Sequence, residues 1–324
     1  MDYTGNEVQF RTPSGLCIAG RHWGYKNGFP LLALHGWLDN CATWEELIPV
    51  WASKFPHLKF DMMAIDFAGH GQSDHRSLQA SYSKILDLED CISVADLLNW
   101  DRFMLLGHSM GGLVSLYLAG LFPARIVNVV IIEAIAPLYT RDEVLVDRAA
   151  LGISEDLRYL SRKNPEASKR VFASLEDAVR ARTTGKHKIS HRAGLHLVRR
   201  GTKAVLSQAD SGLAYSTLGL VWSSDQRTLV SVQFSTSQVF AMETLRRIKC
   251  SLFCIMADHA MPQTLASPKV QEILGDKLSI VKLKGVQSHH LHLELEYAER
   301  IAGLIAQFWI KELSGDACKV KANL

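Results

Sequence analysis

No two of the six cysteines are spaced as a C-x-x-C pair; Cys17, Cys41, Cys91, Cys250, Cys254 and Cys318 are scattered along the chain. That scatter suggests neither a zinc site nor a disulfide framework, and it reads as buried or free thiols in a reducing compartment, with Cys250 and Cys254 on one strand. No apolar run reaches the roughly eighteen residues that a membrane span needs; even residues 126–138 are broken by Asn128 and Glu133. The opening MDYTGNEVQF has neither a basic stretch nor an apolar core, which argues against a secretory signal. A net charge of only +3 does not single out a nucleic-acid binder. Internal repeats and low-complexity segments are also missing. What remains is an ordinary globular composition, 48% hydrophobic and 21% charged over 324 residues, long enough for a full core and an inserted subdomain.

The chain is organised around residues 104–120, MLLGHSMGGLVSLYLAG. An apolar run ending at Gly107 predicts a buried strand, and the small-residue run that follows predicts a helix. Gly107, His108, Ser109, Met110 and Gly111 form a G-x-S-x-G arrangement on the turn between them. Such a turn projects a serine hydroxyl from the sheet edge towards a helix N-terminus, and it leaves no room for a Cβ two residues to either side.

Before this stretch, residues 7–24 alternate around Pro13, Ser14 and Gly15 as an N-terminal hairpin would. LLALHG at 31–36 predicts a central parallel strand, and a helix is expected from about Thr43 to Lys54. The strand FDMMAID at 60–66 runs into a glycine-rich loop, and a helix is expected over about 82–100. IVNVVIIE at 126–133 is a further buried strand. Strands alternating with helices imply right-handed crossovers and a mostly parallel sheet covered on both faces. From about Leu138 to Ile248 strand signals give way to helix formers such as PEASKRVFASLEDAVRAR, which predicts an all-helical cap inserted after the sixth strand. Strand signals return at 251–256 and 277–283, and a closing helix is expected from about His290 to Trp309. The organisation is thus an α/β core over 1–137, a helical cap over 138–248, and the rest of the core over 249–324.

A serine hydroxyl is a poor nucleophile at neutral pH and needs a histidine within reach and a third group to orient it. Among thirteen histidines, His289 in GVQSHHLHLE is best placed, because the closing helix is expected just after it; His290 and His292 are its rivals. At this point the chain resembles the α/β-hydrolase superfamily over nearly its whole length, and within it the kraken-related serine hydrolase-like proteins. The resemblance rests on LHGWLDN (34–40), AIDFAGHGQSDHR (64–76), LLGHSMGG (105–112), RGTKAV (200–205), SSDQR (223–227) and GVQSHHLHLE (285–294). It implies the α/β-hydrolase fold and a serine, acid, histidine chain order, with Ser109 and His289 at two of the positions.

The acid departs from the commonest pattern of that superfamily. Where many relatives have a G-x-x-D turn, this chain reads MADHAMP, with Ala257 and Ala260 in place of the glycine and the acid and Asp258 two positions early. The alternative is Glu133, at a strand end where serine hydrolase-like proteins usually carry an aspartate. A carboxylate ending a buried strand needs a polar partner or a titrating role. The oxyanion donors are expected to be the backbone N–H groups of Met110, after the nucleophile, and of Trp37, after His35 and Gly36.

The expected function is therefore hydrolysis of a small-molecule carboxylic ester or thioester through an acyl-enzyme, with no metal or organic cofactor, no nucleic acid and no membrane-spanning segment. The alternative is a ligand-binding protein on a hydrolase scaffold, with slow turnover or none. A dehalogenase or epoxide hydrolase would call for a carboxylate nucleophile, which Ser109 is not. Between Arg158 and Lys203 thirteen Lys and Arg face three acids, which either steers an anionic substrate such as a coenzyme A thioester or is a solvated face balanced by acids elsewhere. The last residues, Ala322, Asn323 and Leu324, read either as a degenerate peroxisomal address or as a frayed tail. The expected location is accordingly peroxisomal or cytoplasmic.

Overall fold

Apolar side chains fill the runs LLAL, MLL and VVII at every position because their strands are covered on both faces. Leu32, Leu34, Leu105, Val129 and Ile131 pack into one core layer, and Leu31, Ala33, Met104, Leu106, Val130 and Ile132 into the other. This is the signature of central parallel strands sandwiched between helices. In the computed structural model the described residues are 5–133, 139–162, 169–184, 188–208, 215–230, 236–258, 268–286 and 288–320, without the side chains of 206–208, 215–217 and 315–320. Ala260 and residues 322–324 lie outside them.

In chain order, the first part of the core comprises β1 (Asn6–Arg11), β2 (Cys17–Gly24), β3 (Phe29–Leu34), α1 (Leu47–Lys54), β4 (Phe60–Ile65), α2 (Lys84–Leu97), β5 (Phe103–His108), α3 (Met110–Leu121) and β6 (Ile126–Ile132). An insertion follows, with α4 (Leu145–Leu160), α5 (Leu175–Thr183), α6 (His191–Gly201), β7 (Thr202–Gln208), β8 (Tyr215–Trp222) and α7 (Gln238–Arg247). The core resumes with β9 (Ser251–Ala257), α8 (Pro268–Leu274), β10 (Leu278–Leu283) and α9 (Leu295–Val320). The strand order is β1-β2-β4-β3-β5-β6-β9-β10. All pairs from β4 to β10 are parallel, and β2 is antiparallel to both β1 and β4. Helices α2, α3, α7 and α8 cover one face, and α1 and α9 the other. On the second face Trp309 stacks on Trp51 at 4.5 Å and donates its indole N–H to Asn128 Oδ1 at 2.8 Å. That bond gives the one polar side chain interrupting β6 a partner in the core.

Three expectations need correcting. The insertion is not all-helical: β7 and β8 pair antiparallel from Thr202↔Trp222 to Gln208↔Tyr215, and Phe172 exchanges 2.8 Å backbone bonds with Leu220 beside them. Their β-branched and aromatic residues suit a pleated pair, but neither strand shows an unbroken alternation. The closing helix begins at Leu295 rather than His290, because His290 and His292 hold residues 288–294 as a turn by bonding to Asp39 and Thr43. Cys250 precedes β9 and so does not share the strand with Cys254.

A buried ion pair and a set of hydrogen bonds fasten the insertion to the core. Arg200 at the end of α6 reaches Asp66 with Nε, at 3.1 and 2.9 Å, and both Glu7 oxygens with Nη1, at 2.7 Å. Arg227 donates to Asp225 Oδ2 at 2.8 Å and to the carbonyls of Arg76, Ser77 and Ala80. Asp225 in turn takes the Tyr82 hydroxyl at 2.8 Å and sends its backbone N–H to Gly69 O at 2.9 Å. The RGTKAV and SSDQR motifs thus supply the clasps between the two parts. Arg200→Met leaves the fully buried Asp66 without its cation, and such unpairing costs about 3–5 kcal/mol. Urea unfolding followed by tryptophan fluorescence should show a loss of that size, and a change under about 1 kcal/mol would refute the clasp.

Candidate active site

Ser109 sits between β5 and α3 with φ 50° and ψ −110°, a backbone conformation that costs a non-glycine residue energy and persists only where its surroundings enforce it. Here they do. A Cβ on Gly107 would meet Gly111 O at 2.5 Å, and one on Gly111 would collide with the Leu34 carbonyl. The backbone N–H of Ser109 donates to Ile132 O at 2.9 Å. The turn is therefore pressed between β3 and β6, and Ser109 stands at the carboxyl ends of the strands, before the first turn of α3.

Glu133 follows β6 with φ 54°. Its backbone N–H donates to Ile255 O at 2.9 Å, and its Oε1 accepts the Ala257 N–H. The other oxygen, Oε2, lies 3.3 Å from His289 Nδ1. A carboxylate can only accept, so Nδ1 carries the hydrogen and Nε2 keeps its lone pair. Burial lowers the pKa of His289 below its usual value, against the raising effect of Glu133. Asp258 turns elsewhere: it is exposed, and its Oδ2 faces the Gly285 N–H at 3.3 Å. The structure brings Glu133 and His289 together and leaves Asp258 on the surface.

Among the described residues, neither the Trp37 nor the Met110 backbone N–H meets a protein acceptor. For Met110 this follows from its place in the first turn of a helix. The Trp37 side chain is half exposed, and its indole donates to Thr228 O of the insertion at 3.1 Å.

A cluster that sequence reading missed lies beside His289. Asp39 and His108, both buried, stand in the sequence only as members of the LHGWLDN and LLGHSMGG motifs, and Arg182 as one cation among many. His290 Nε2 is 2.9 Å from Asp39 Oδ2, Arg182 Nη2 is 2.8 Å from Asp39 Oδ1, and His108 Nε2 is 3.0 Å from His289 O. Burial works against the Asp39 charge, but His290, His108 and Arg182 together hold its pKa well below the usual range. The available signal was three histidines in SHHLHL together with a fourth before the serine, more imidazole than a solvated loop requires. Asp39, His108 and His290 each offer a ligand atom within 4.8 Å of the others. The set does not suit a metal, because a divalent cation there would face the Arg182 guanidinium, which is also 3.2 Å from His290 Nε2.

Three cations of the insertion are taken up by acids of the core. Arg182 pairs with Asp39, Arg192 with Glu46, and Arg200 with Asp66 and Glu7. Of the two sequence readings, these pairs favour a charged face balanced by acids elsewhere. A cavity of about 230 Å³ lined by Trp23, Tyr25, Trp51, Phe55 and Phe60 lies at the opposite end of the sheet, by the first residue of β4, and includes none of the site residues. Among the described residues no helix is long and apolar enough to cross a membrane.

A family model for the alpha/beta hydrolase fold matches residues 30–241. The chain belongs to that family. This α/β-hydrolase is 25% identical to a serine hydrolase-like protein of Danio rerio over 95% of its own length and 89% of the relative's. It is 29% identical to serine hydrolase-like protein 2 of Homo sapiens over 86% and 83%. Among solved structures it is similar to a hypothetical protein from Pseudomonas aeruginosa PAO1, with 31% identity, a TM-score of 0.79, and coverage of 94% of this chain and 99% of that one. A thioesterase domain from the curacin biosynthetic pathway shares the fold at 23% identity, with a TM-score of 0.71 and coverage of 94% and 99%. The fold and the names of the relatives support a hydrolase.

Proposed function

We propose that this α/β-hydrolase cleaves a small-molecule carboxylic ester or thioester through an acyl-enzyme on Ser109, with the insertion as a cap over the site. The observation that carries the reading is the strained Ser109 turn at the strand ends, with His289 oriented by the buried Glu133 nearby. Ser109 Oγ attacks the carbonyl carbon as His289 Nε2 takes its proton, and the negative charge moves to the carbonyl oxygen. The Trp37 and Met110 N–H groups receive that oxyanion. Collapse breaks the bond to the alcohol or thiol, which leaves with the proton from His289. Water then attacks the acyl carbon, gives its proton to the same nitrogen, and the acid departs as Ser109 Oγ is reprotonated. Glu133 balances the imidazolium in both halves of the reaction.

The test is covalent. Wild-type protein incubated with a fluorophosphonate, digested and sequenced by mass spectrometry should carry the phosphonyl adduct on Ser109. Folded protein that takes up no probe would refute the reading and favour a ligand-binding protein on this scaffold.

A further inference from the structure

Two carboxylate–imidazole pairs lie side by side here, and only one of them, Glu133 with His289, has a part in the proposed chemistry. The second, Asp39 with His290, is 3% and 4% exposed and, among the described residues, is joined to the insertion through Arg182. We infer that Arg182 of α5 positions the base His289, acting through Asp39 and His290. This inference rests on the function proposed above.

The chain of contacts is short. The Arg182 guanidinium donates to Asp39 Oδ1 at 2.8 Å, and Asp39 Oδ2 accepts from His290 Nε2 at 2.9 Å. His290 adjoins His289 in sequence, so fixing its ring fixes the peptide from which the base projects. His108 holds the same peptide from β5: its Nε2 donates to His289 O at 3.0 Å, and its Nδ1 stands 3.6 Å from Asp39 Oδ2. The rings of His108 and His289 pack with centroids 4.8 Å apart. Asp39 therefore sets the His290 ring directly and lies beside His108, the other group framing the base. A carboxylate this deeply buried needs a counter-charge beyond its imidazole neighbours, and among the described residues Arg182 supplies it. With the guanidinium removed, Asp39 gains by taking a proton or by drawing one onto His108 or His290, and either change rearranges the bonds that hold the His289 peptide. Arg182 comes from the insertion while the other members come from the core, so the seating of the insertion and the aim of the base are one event. A misplacement of about 1 Å costs catalysis about a hundredfold.

Arg182→Gln, Arg182→Lys and Asp39→Asn test this, each compared with wild type for fluorophosphonate labelling rate and for hydrolysis of a p-nitrophenyl ester. Arg182→Gln should lose roughly ten- to a hundredfold in labelling rate and kcat with KM within about twofold, because the geometry of the base changes and the substrate contacts do not. Arg182→Lys, which keeps the charge and a donor for Asp39, should recover to within a few-fold of wild type. Equal labelling of wild type and Arg182→Gln overturns the inference and leaves the proposed function standing. A rise in KM at constant kcat overturns it as well, since Arg182 would then hold substrate. If Arg182→Gln lacks the wild-type near-ultraviolet circular dichroism, Asp39→Asn, which keeps the shape and removes the carboxylate, is read by the same criteria. Wild type that takes no probe overturns the function and this inference with it.

Discussion

Ser109→Ala should lower ester hydrolysis about a millionfold, Glu133→Gln about ten-thousandfold, and Asp258→Asn less than twofold. Removing the hydroxyl removes the atom that forms the acyl bond, so only binding and oxyanion stabilisation would remain. Glutamine at 133 preserves shape and burial but replaces an acceptor carrying full negative charge with a neutral amide. The amide can present its NH2 to His289 Nδ1, which favours the tautomer with the proton on Nε2 and leaves no lone pair to receive the Ser109 proton. The carboxylate is also the group closest to the imidazolium formed during reaction, 3.3 Å from Nδ1. Asp258 is exposed and faces the backbone of Gly285, so its charge is spent on solvent and a loop. Steady-state kcat and KM of the three variants on one p-nitrophenyl ester, with circular dichroism to verify folding, decide the matter. A large loss in Asp258→Asn with little in Glu133→Gln would overturn the assignment of the acid.

The second large effect is on stability in mild acid. Five buried histidines and the partly buried His289 have pKa values pushed below the usual 6.5. Burial, aided by His70, takes His35 down to about 3, and burial is the leading cause for His70, His108, His289, His290 and His292. His35 shows the structural side of this: Nδ1–H bonds Gly36 O at 2.6 Å while Nε2 accepts the Phe67 N–H at 3.0 Å. Both nitrogens are thus committed in the neutral form. Below pH 6.5 the unfolded chain protonates all six, whereas the folded chain does not, so stability is complete above that pH and is lost as pH falls. Asp90 works in the opposite sense. Burial pushes its carboxyl up to about 6 despite Arg76, so the folded state takes up one proton that the unfolded chain does not.

The imidazoles outnumber Asp90, so the unfolded chain binds more protons below pH 6.5, and each imidazole kept neutral by the fold adds up to about 1.4 kcal/mol per pH unit to the slope. Against a typical stability of about 5–15 kcal/mol, several such groups acting together should destabilise the fold steeply as the pH falls below about 6. The carboxylates held low by cations, Asp39, Glu7 and Asp225 among them, keep their stabilising contribution through this range and lose it only at more acidic pH. Thermal melts from pH 8 to 4 should show a nearly constant Tm above pH 7 and a steep fall below 6. A Tm unchanged at pH 4.5 would show that the imidazoles gain protons within the folded state.

Local sequence determined the sheet and the serine turn. An unbroken apolar run marks a strand covered on both faces, and glycines at 107 and 111 mark a place where backbone meets backbone; both are properties of a few consecutive residues. His289 was legible for a related reason, its position between the last strand and the last helix. The acid was not, because Glu133 and Asp258 end neighbouring strands and periodicity treats them alike. Only the pairing of β6 with β9, the bond from Glu133 N to Ile255 O, and the positive φ at Glu133 aim one carboxylate at the imidazole. The β7–β8 pair was missed because its alternation is irregular and its stability comes from partners it finds in the fold. The cations of the insertion could be counted from sequence but not matched, since Arg182 meets Asp39 across 143 positions and Arg200 meets Asp66 across 134. A contact at such separation has no local signature: it is selected by packing, which brings charges together only once the layers that bury them have closed.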